Sequence, residues 1–187
     1  MDHKPKYNPE IHHRKSIRLK GYDYSQAGLY FITICCANRE CLFGEIKNNE
    51  MILNDAGKIA NECWLEIPKH FPNAILHEHI VMPNHIHGII ELATVENFQP
   101  QRNEFQKMIP RSIGSIVKGY KIGITKWFRN PVGAENSPVG AENLLPLQKI
   151  WQRNYHEHII RNEKSYQIIS EYIMNNPAKW KDDKFYR

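Results

Sequence analysis

The densest chemistry in this sequence lies in Val81-Met-Pro-Asn-His85-Ile86-His87-Gly88-Ile-Ile90. A Pro-Asn corner opens onto a strand-like run in which two histidines flank one bulky apolar residue. Alternate residues of a strand point to the same face, so His85 and His87 project side by side, roughly 7 Å apart at their backbones. That spacing lets both imidazoles reach one divalent metal at about 2.1 Å. Gly88 allows another backbone or a ligand to approach closely. In a basic, tyrosine-rich chain, such a pair points to phosphodiester chemistry.

The same spacing recurs at His77/His79 and His156/His158. The ordinary reading of any such pair is two polar side chains on a half-exposed strand. For His77/His79, which flank a glutamate with no turn to open a site, that reading is preferred. His158 lies between Glu157 and the apolar Ile159-Ile160 and is a candidate to face the His85/His87 cleft as a supporting group.

Metal-assisted phosphoryl chemistry also needs a nucleophile. The chain has no Gly-x-Ser-x-Gly, no P-loop and no HExxH. A third alternating histidine, as in histidine-triad hydrolases, is excluded by Ile89. A tyrosine remains. In Tyr166-Gln-Ile-Ile-Ser-Glu-Tyr172-Ile-Met-Asn-Asn176-Pro the apolar stripe is read as Ile168, Ile169 and Ile173. Tyr172, one turn beyond Ile168, is then expected to face the protein body. Asn176, a further turn on, offers an amide oxygen as a third hard ligand to Mg²⁺ or Mn²⁺. The competing reading makes Tyr172 a core aromatic. A free phenol is only about a thousandth ionised at pH 7, so a metal or a base must take or offset its proton.

The 41% hydrophobic and 24% charged content suits a globular protein of 187 residues. No apolar run approaches a membrane span, and the N-terminus lacks a signal-peptide core, so a cytoplasmic protein is expected. The four cysteines form no CxxC pair or disulfide framework and read as reduced thiols. Net charge is +5 with pI near 9.0. Basic residues gather at Arg14, Lys15 and Arg18, at Lys118, Lys121 and Lys126, and at Arg153 and Arg161, which favours a polyanionic partner.

Several elements must position these groups. Residues 1–27 read as a basic arm. Leu29 to Cys36 reads as a buried strand, and Leu42 to Ile46 as the return strand. Asn54 caps a helix reaching His70 that Pro68 kinks or ends early. Ile75 to Met82 and His85 to Leu92 form two further strands. Ser112 to Arg129 shows helical apolar spacing with lysines on the other faces. The tandem Pro131-Val-Gly-Ala-Glu-Asn-Ser and Pro138-Val-Gly-Ala-Glu-Asn143 make a flexible loop expansion over 131–146 with no assigned chemistry. Ile150 to Ile160 reads as the last strand. Asn162 caps a final helix from Glu163 to about Asn175, stopped by Pro177. The class is α+β, with helices covering an antiparallel-rich sheet.

These motifs together resemble the REP-associated tyrosine transposases, relatives of the single-tyrosine HUH transposases of bacterial insertion sequences. The resemblance is carried by Arg14-Lys-Ser-Ile-Arg-Leu19 with Gly21-Tyr-Asp-Tyr24, by Val81-Met-Pro-Asn-His-Ile-His87, by Trp151-Gln-Arg-Asn-Tyr155, by His158-Ile-Ile-Arg161-Asn-Glu163 and by Tyr172-Ile-Met-Asn-Asn-Pro177. It implies a ferredoxin-like antiparallel sheet (the HUH nuclease fold) in residues 28–187, with the histidine pair on a central strand. It implies a metal-dependent endonuclease and strand transferase acting on single-stranded DNA beside a hairpin, through a 5′-phosphotyrosine. His85 and His87 are then metal ligands and Tyr172 the nucleophile. Asn176 stands where relatives carry a glutamine that assists the metal. Arm 12–20 and helix 112–129 are expected to grip phosphates, in a cytoplasmic, nucleoid-associated protein that is a monomer or a homodimer exchanging its tyrosine helix. The alternative is a non-catalytic binder of hairpin DNA or RNA that keeps the fold.

Overall fold

A computed structural model describes residues 22–94, 111–129 and 149–186. The arm with Arg14, Lys15 and Arg18, and the duplicated loop at 131–146, lie outside the described residues.

The main sheet has four antiparallel strands: β1 (Gly28–Cys35), β4 (Ala74–Met82), β5 (His85–Leu92) and β6 (His156–Ile160), in the order β4-β5-β1-β6. Helices α1 (Asp55–Leu65) and α3 (Ile113–Arg129) join its strands in the β-α-β-β-α-β sequence of a ferredoxin-like sheet, with the four-residue α2 (Ile67–His70) after α1. The final helix, α4 (Glu163–Asn175), follows β6. This is the α+β architecture expected, with β5 an inner strand. Leu42 to Ile46 does not return to β1. Instead β2 (Gly44–Lys47) pairs with β3 (Glu50–Leu53) in a separate ribbon. Its two-residue turn, Asn48 and Asn49 at φ 52° and 65°, uses the residue type that best tolerates left-handed backbone after glycine.

Local sequence accounts for the helix ends. Asn54 Oδ1 accepts from Gly57 N at 2.9 Å and Asn162 Oδ1 from Ser165 N at 2.8 Å, each satisfying an amide that the first turn leaves free. Pro68 separates α1 from α2 at the start of the second helix.

Residues directly opposite in antiparallel strands share a face. On one face Tyr30, Ile32, Ile34, Ile86 and Ile90 meet Trp64 of α1 and Ile116 and Tyr120 of α3 in the main core. On the other, Phe31, Ile80, Ile89 and Ile160 meet Tyr166, Ile169 and Ile173 of α4. Ile168 is not part of that contact: it is 56% exposed, and the inward face of α4 runs through Tyr166, Ile169, Ser170 and Ile173. The stripe differs from the expected one because a helix lying across a strand face buries positions three and four apart, and Tyr166 with Ser170 supplies polar anchors an apolar count overlooks.

Gly88 also plays a different part from the one expected. A Cβ there would lie 2.2 Å from Trp64 Cζ2. The group that approaches closely is the Trp64 indole, on the face away from the histidines, and not a ligand.

Candidate active site

His85 and His87 project from β5 on the α4 side of the sheet, with exposures of 0% and 1% and ring centroids 4.4 Å apart. The register sets Cys35 opposite His85 and Thr33 opposite His87. Thr33 Oγ1 lies 2.9 Å from His87 Nδ1. Asn84 Oδ1 lies 2.9 Å from His85 Nδ1. The Phe185 and Trp180 rings cover His85 at 4.5 and 5.9 Å.

The α4 helix brings Tyr172 to the same point. Its hydroxyl is 3.2 Å from His87 Nε2 and donates to Asp183 Oδ2 at 2.9 Å. The Asn176 amide donates to that same carboxylate oxygen at 3.1 Å. Phe185 N donates to Asp183 Oδ1 at 2.7 Å, fixing the carboxylate. Tyr172 does not sit wholly against the body of the protein: it is 37% exposed and forms the open side of the cluster. The phenol has one proton, and Asp183 receives it, so His87 Nε2 must itself donate to the phenol oxygen. Were a cation held at Nε2, that ring proton would have to sit on Nδ1, where Thr33 Oγ1 lies 2.9 Å away and could accept it.

Burial dominates the electrostatics. It pushes the His85 imidazole down to about 4, Asp183 opposing and Lys184 and Arg39 reinforcing the shift. His87 lies well below the ordinary range through burial, the neighbouring His85 and Lys184. Both rings are neutral at pH 7, the form that ligates metals. Burial, then the hydrogen bond to Asp183 and its negative charge, raise the Tyr172 phenol above its usual 10, so it is held protonated.

These shifts have a measurable consequence for the metal-free protein. Between about pH 6.5 and 4 the unfolded chain binds protons on imidazoles that stay neutral in the fold, so stability falls as pH falls through that window. For His85, with a folded value of about 4, the loss is on the order of 3 kcal/mol. Thermal midpoints measured in chelator are expected to drop across this range, and less steeply in a His85→Gln, His87→Gln double variant. Equal slopes would contradict the assignment.

Five buried side-chain atoms among the described residues lack a hydrogen-bond partner, and two belong to this cluster: His85 Nε2 and Asn176 Oδ1. Buried polar atoms are nearly always paired, so two unpaired atoms in one cluster stand out. No group of three His, Cys, Asp or Glu residues able to hold a metal occurs among the described residues. Asn176, an amide, falls outside that set of residue types.

The other candidates separate. A β-bulge lies between Leu76 and His79. It sends His77 to Tyr166 on the α4 side and His79 to Trp64 and Asn61 on the α1 side. The pair therefore shares no face. His158 is exposed and opposite Phe31, one row beyond the histidines, whereas His156 is opposite Thr33 in the row of His87. Tyr166 donates to Glu78 Oε2 at 2.9 Å and lies 3.2 Å from His77 Nδ1, away from the His85/His87 pair.

Lys118 and Lys126 are exposed on α3, across the sheet from the histidines. Arg153 and Arg161 are exposed on either side of the edge strand β6. Lys121 differs from the expected phosphate contact. Its ammonium donates to the carbonyls of Gln152 at 2.9 Å and Asn154 at 3.1 Å, and burial pushes it down to about 8. It braces α3 against the segment before β6.

The sequence carries no sign of the parts played by Asp183 and Thr33, and marks Asn84 only as half of the Pro-Asn corner. Asp183 sits in Lys181-Asp-Asp-Lys184, which reads as a solvated charge run, and nothing in its local pattern marks it.

No protein-family model matches the chain. An uncharacterised protein of Haemophilus influenzae is 48% identical over 190 residues, spanning 97% of both chains, and this chain belongs to the same family. Among solved structures, a REP-associated tyrosine transposase bound to a REP hairpin has a similar fold, with TM-score 0.55 and 21% identity over 88% of this chain and 74% of that one.

Proposed function

We propose that this protein is a metal-dependent nuclease and strand transferase for single-stranded DNA next to a hairpin. The observation that carries the reading is the Tyr172 hydroxyl 3.2 Å from His87 Nε2 within one chain, beside the unpaired His85 Nε2 and Asn176 Oδ1. A fold similar to that of a hairpin-bound tyrosine transposase supports it. His85, His87 and Asn176 are the residues that would hold Mg²⁺ or Mn²⁺. Such an ion polarises the scissile phosphate and offsets charge on its oxygens.

Tyr172 attacks the phosphorus as its proton passes along the existing hydrogen bond to Asp183 Oδ2. The bond from phosphorus to the 3′ oxygen breaks and that oxygen takes a proton from water, leaving a 5′-phosphotyrosine and a free 3′-OH. Attack by another 3′-OH reverses the exchange and returns the phenol, so one phosphodiester replaces another and no nucleotide is consumed. The phosphate approaches from the exposed side of Tyr172. Arg153 and Arg161 beside the edge strand, with Arg14, Lys15 and Arg18 of the arm, contact the DNA backbone, whereas Lys118 and Lys126 lie on the opposite face of the sheet from the reacting groups.

The test is incubation of the full chain with end-labelled hairpin DNA carrying a single-stranded flank, in Mn²⁺, in Mg²⁺ and in chelator. A covalent protein–DNA adduct is expected with metal and none in chelator. Tight hairpin binding without an adduct in any metal would overturn the reading in favour of a non-catalytic binder.

A further inference from the structure

The Pro83-Asn84 corner does more than turn the chain. The Asn84 side chain is 1% exposed, and both ends of its amide are committed. Nδ2 donates to Phe185 O at 2.8 Å and to Arg39 O at 3.2 Å. Carbonyl oxygens only accept, so these two partners fix which end of the amide is nitrogen. Oδ1 then faces His85 Nδ1 at 2.9 Å, and it too can only accept. His85 must therefore carry a proton on Nδ1. In the neutral ring the lone pair is left on Nε2, the buried atom without a partner.

We propose that Asn84 is a positioning residue that selects the cation-binding tautomer of His85, and that its amide nitrogen couples this choice to the Arg39 turn and the Phe185 segment. The part concerning cation affinity rests on the metal-dependent reading above. The tautomer does not. Three separate stretches of chain meet on this one amide: the turn after β1, the start of β5 and the C-terminal segment. Remove the amide oxygen and the Nδ1 proton loses its acceptor. The proton is then free to move to Nε2, which turns the ring nitrogen from a ligand into a donor. Partners that orient a ligating histidine in this way are worth roughly 10–100-fold in metal affinity.

Two variants divide the roles of the amide. Asn84→Ala removes both ends. Asn84→Asp keeps an acceptor toward His85 and loses both donors. Nitrogen-15 NMR of the imidazoles in chelator at neutral pH is expected to show His85 protonated on Nδ1 and bare on Nε2 in the natural protein and in Asn84→Asp, and a mixture of tautomers in Asn84→Ala. Titration with Mn²⁺ alone, without DNA, is expected to show roughly 10–100-fold weaker binding for Asn84→Ala, with most of the affinity restored in Asn84→Asp. A natural protein whose His85 is protonated on Nε2 overturns the proposal even if Asn84→Ala fails to fold. So does an Asn84→Ala variant with an unchanged tautomer or unchanged Mn²⁺ affinity. If the natural protein binds no Mn²⁺, the metal reading falls and the tautomer measurement still decides the part played by Asn84.

Discussion

Tyr172→Phe is expected to abolish covalent capture of hairpin DNA, with cleavage reduced by at least about 10³-fold, because the attacking oxygen is removed outright. The fold should survive. The ring keeps its edge-on contact with Phe31 at 6.2 Å and its place beside His87 at 5.2 Å. Only a half-exposed hydroxyl is lost, and its hydrogen bond to Asp183 is worth about 1 kcal/mol. The matched control is Tyr166→Phe, on the same helix. Its hydroxyl bonds Glu78 at 2.9 Å on a different part of the sheet, so this variant is expected to form the adduct at near-natural yield at a cost of about 1 kcal/mol. Denaturing gels of labelled DNA and urea unfolding read both quantities. Were Tyr166→Phe dead and Tyr172→Phe active, the nucleophile would be the other tyrosine.

Gly88→Ala is expected to destabilise the protein by about 3 kcal/mol, at the upper end of the usual cost of overpacking. The new methyl would lie 2.2, 2.8 and 2.9 Å from three carbons of the Trp64 ring. That ring has little freedom to yield: it is 1% exposed, stacked on His79 at 5.7 Å and edge-on to Tyr120 at 5.4 Å. Trp64→Phe alone should also destabilise, by opening a cavity. Combining the two should cost less than their sum, because the smaller ring vacates space the methyl needs. Urea midpoints of the single and double variants provide the test, and strict additivity would show that the two residues do not compete.

His85/His87 and His77/His79 have the same spacing, yet only the first pair shares a face. β5 runs without interruption from His85 to Leu92, so alternation holds. β4 carries an extra residue between Leu76 and His79, and one bulge residue is enough to send the second histidine through the sheet. Nothing in Leu76-His-Glu-His79 announces that bulge, because it is imposed by the match of β4 to β5 at both ends. Gly88 shows a related limit. Its need for space was readable from residue type, but the group that fills the space comes from a helix more than twenty residues earlier in the chain.

Local chemistry determined what local chemistry can. Strand alternation put His85 and His87 side by side. Asn54 and Asn162 began their helices because their side chains satisfy first-turn amides. α4 ended just before Pro177, although Asn176 keeps helical backbone at φ −58° and ψ −41°, and helical spacing set Asn176 one turn past Tyr172. These are properties of a few adjacent residues and their backbone geometry, which the sequence records directly. Tertiary structure alone decided that α4 lies with Tyr172 against His87 and Tyr166 against Glu78. It also decided that Asp183 accepts the hydrogen bond of the phenol, that Lys121 serves as a brace, and that Asn84 holds His85. Each of these depends on contacts between segments far apart in the chain, chosen by the packing of whole elements and the pairing of buried polar atoms. A short motif holds no trace of such a choice, because the partner that completes it is written elsewhere.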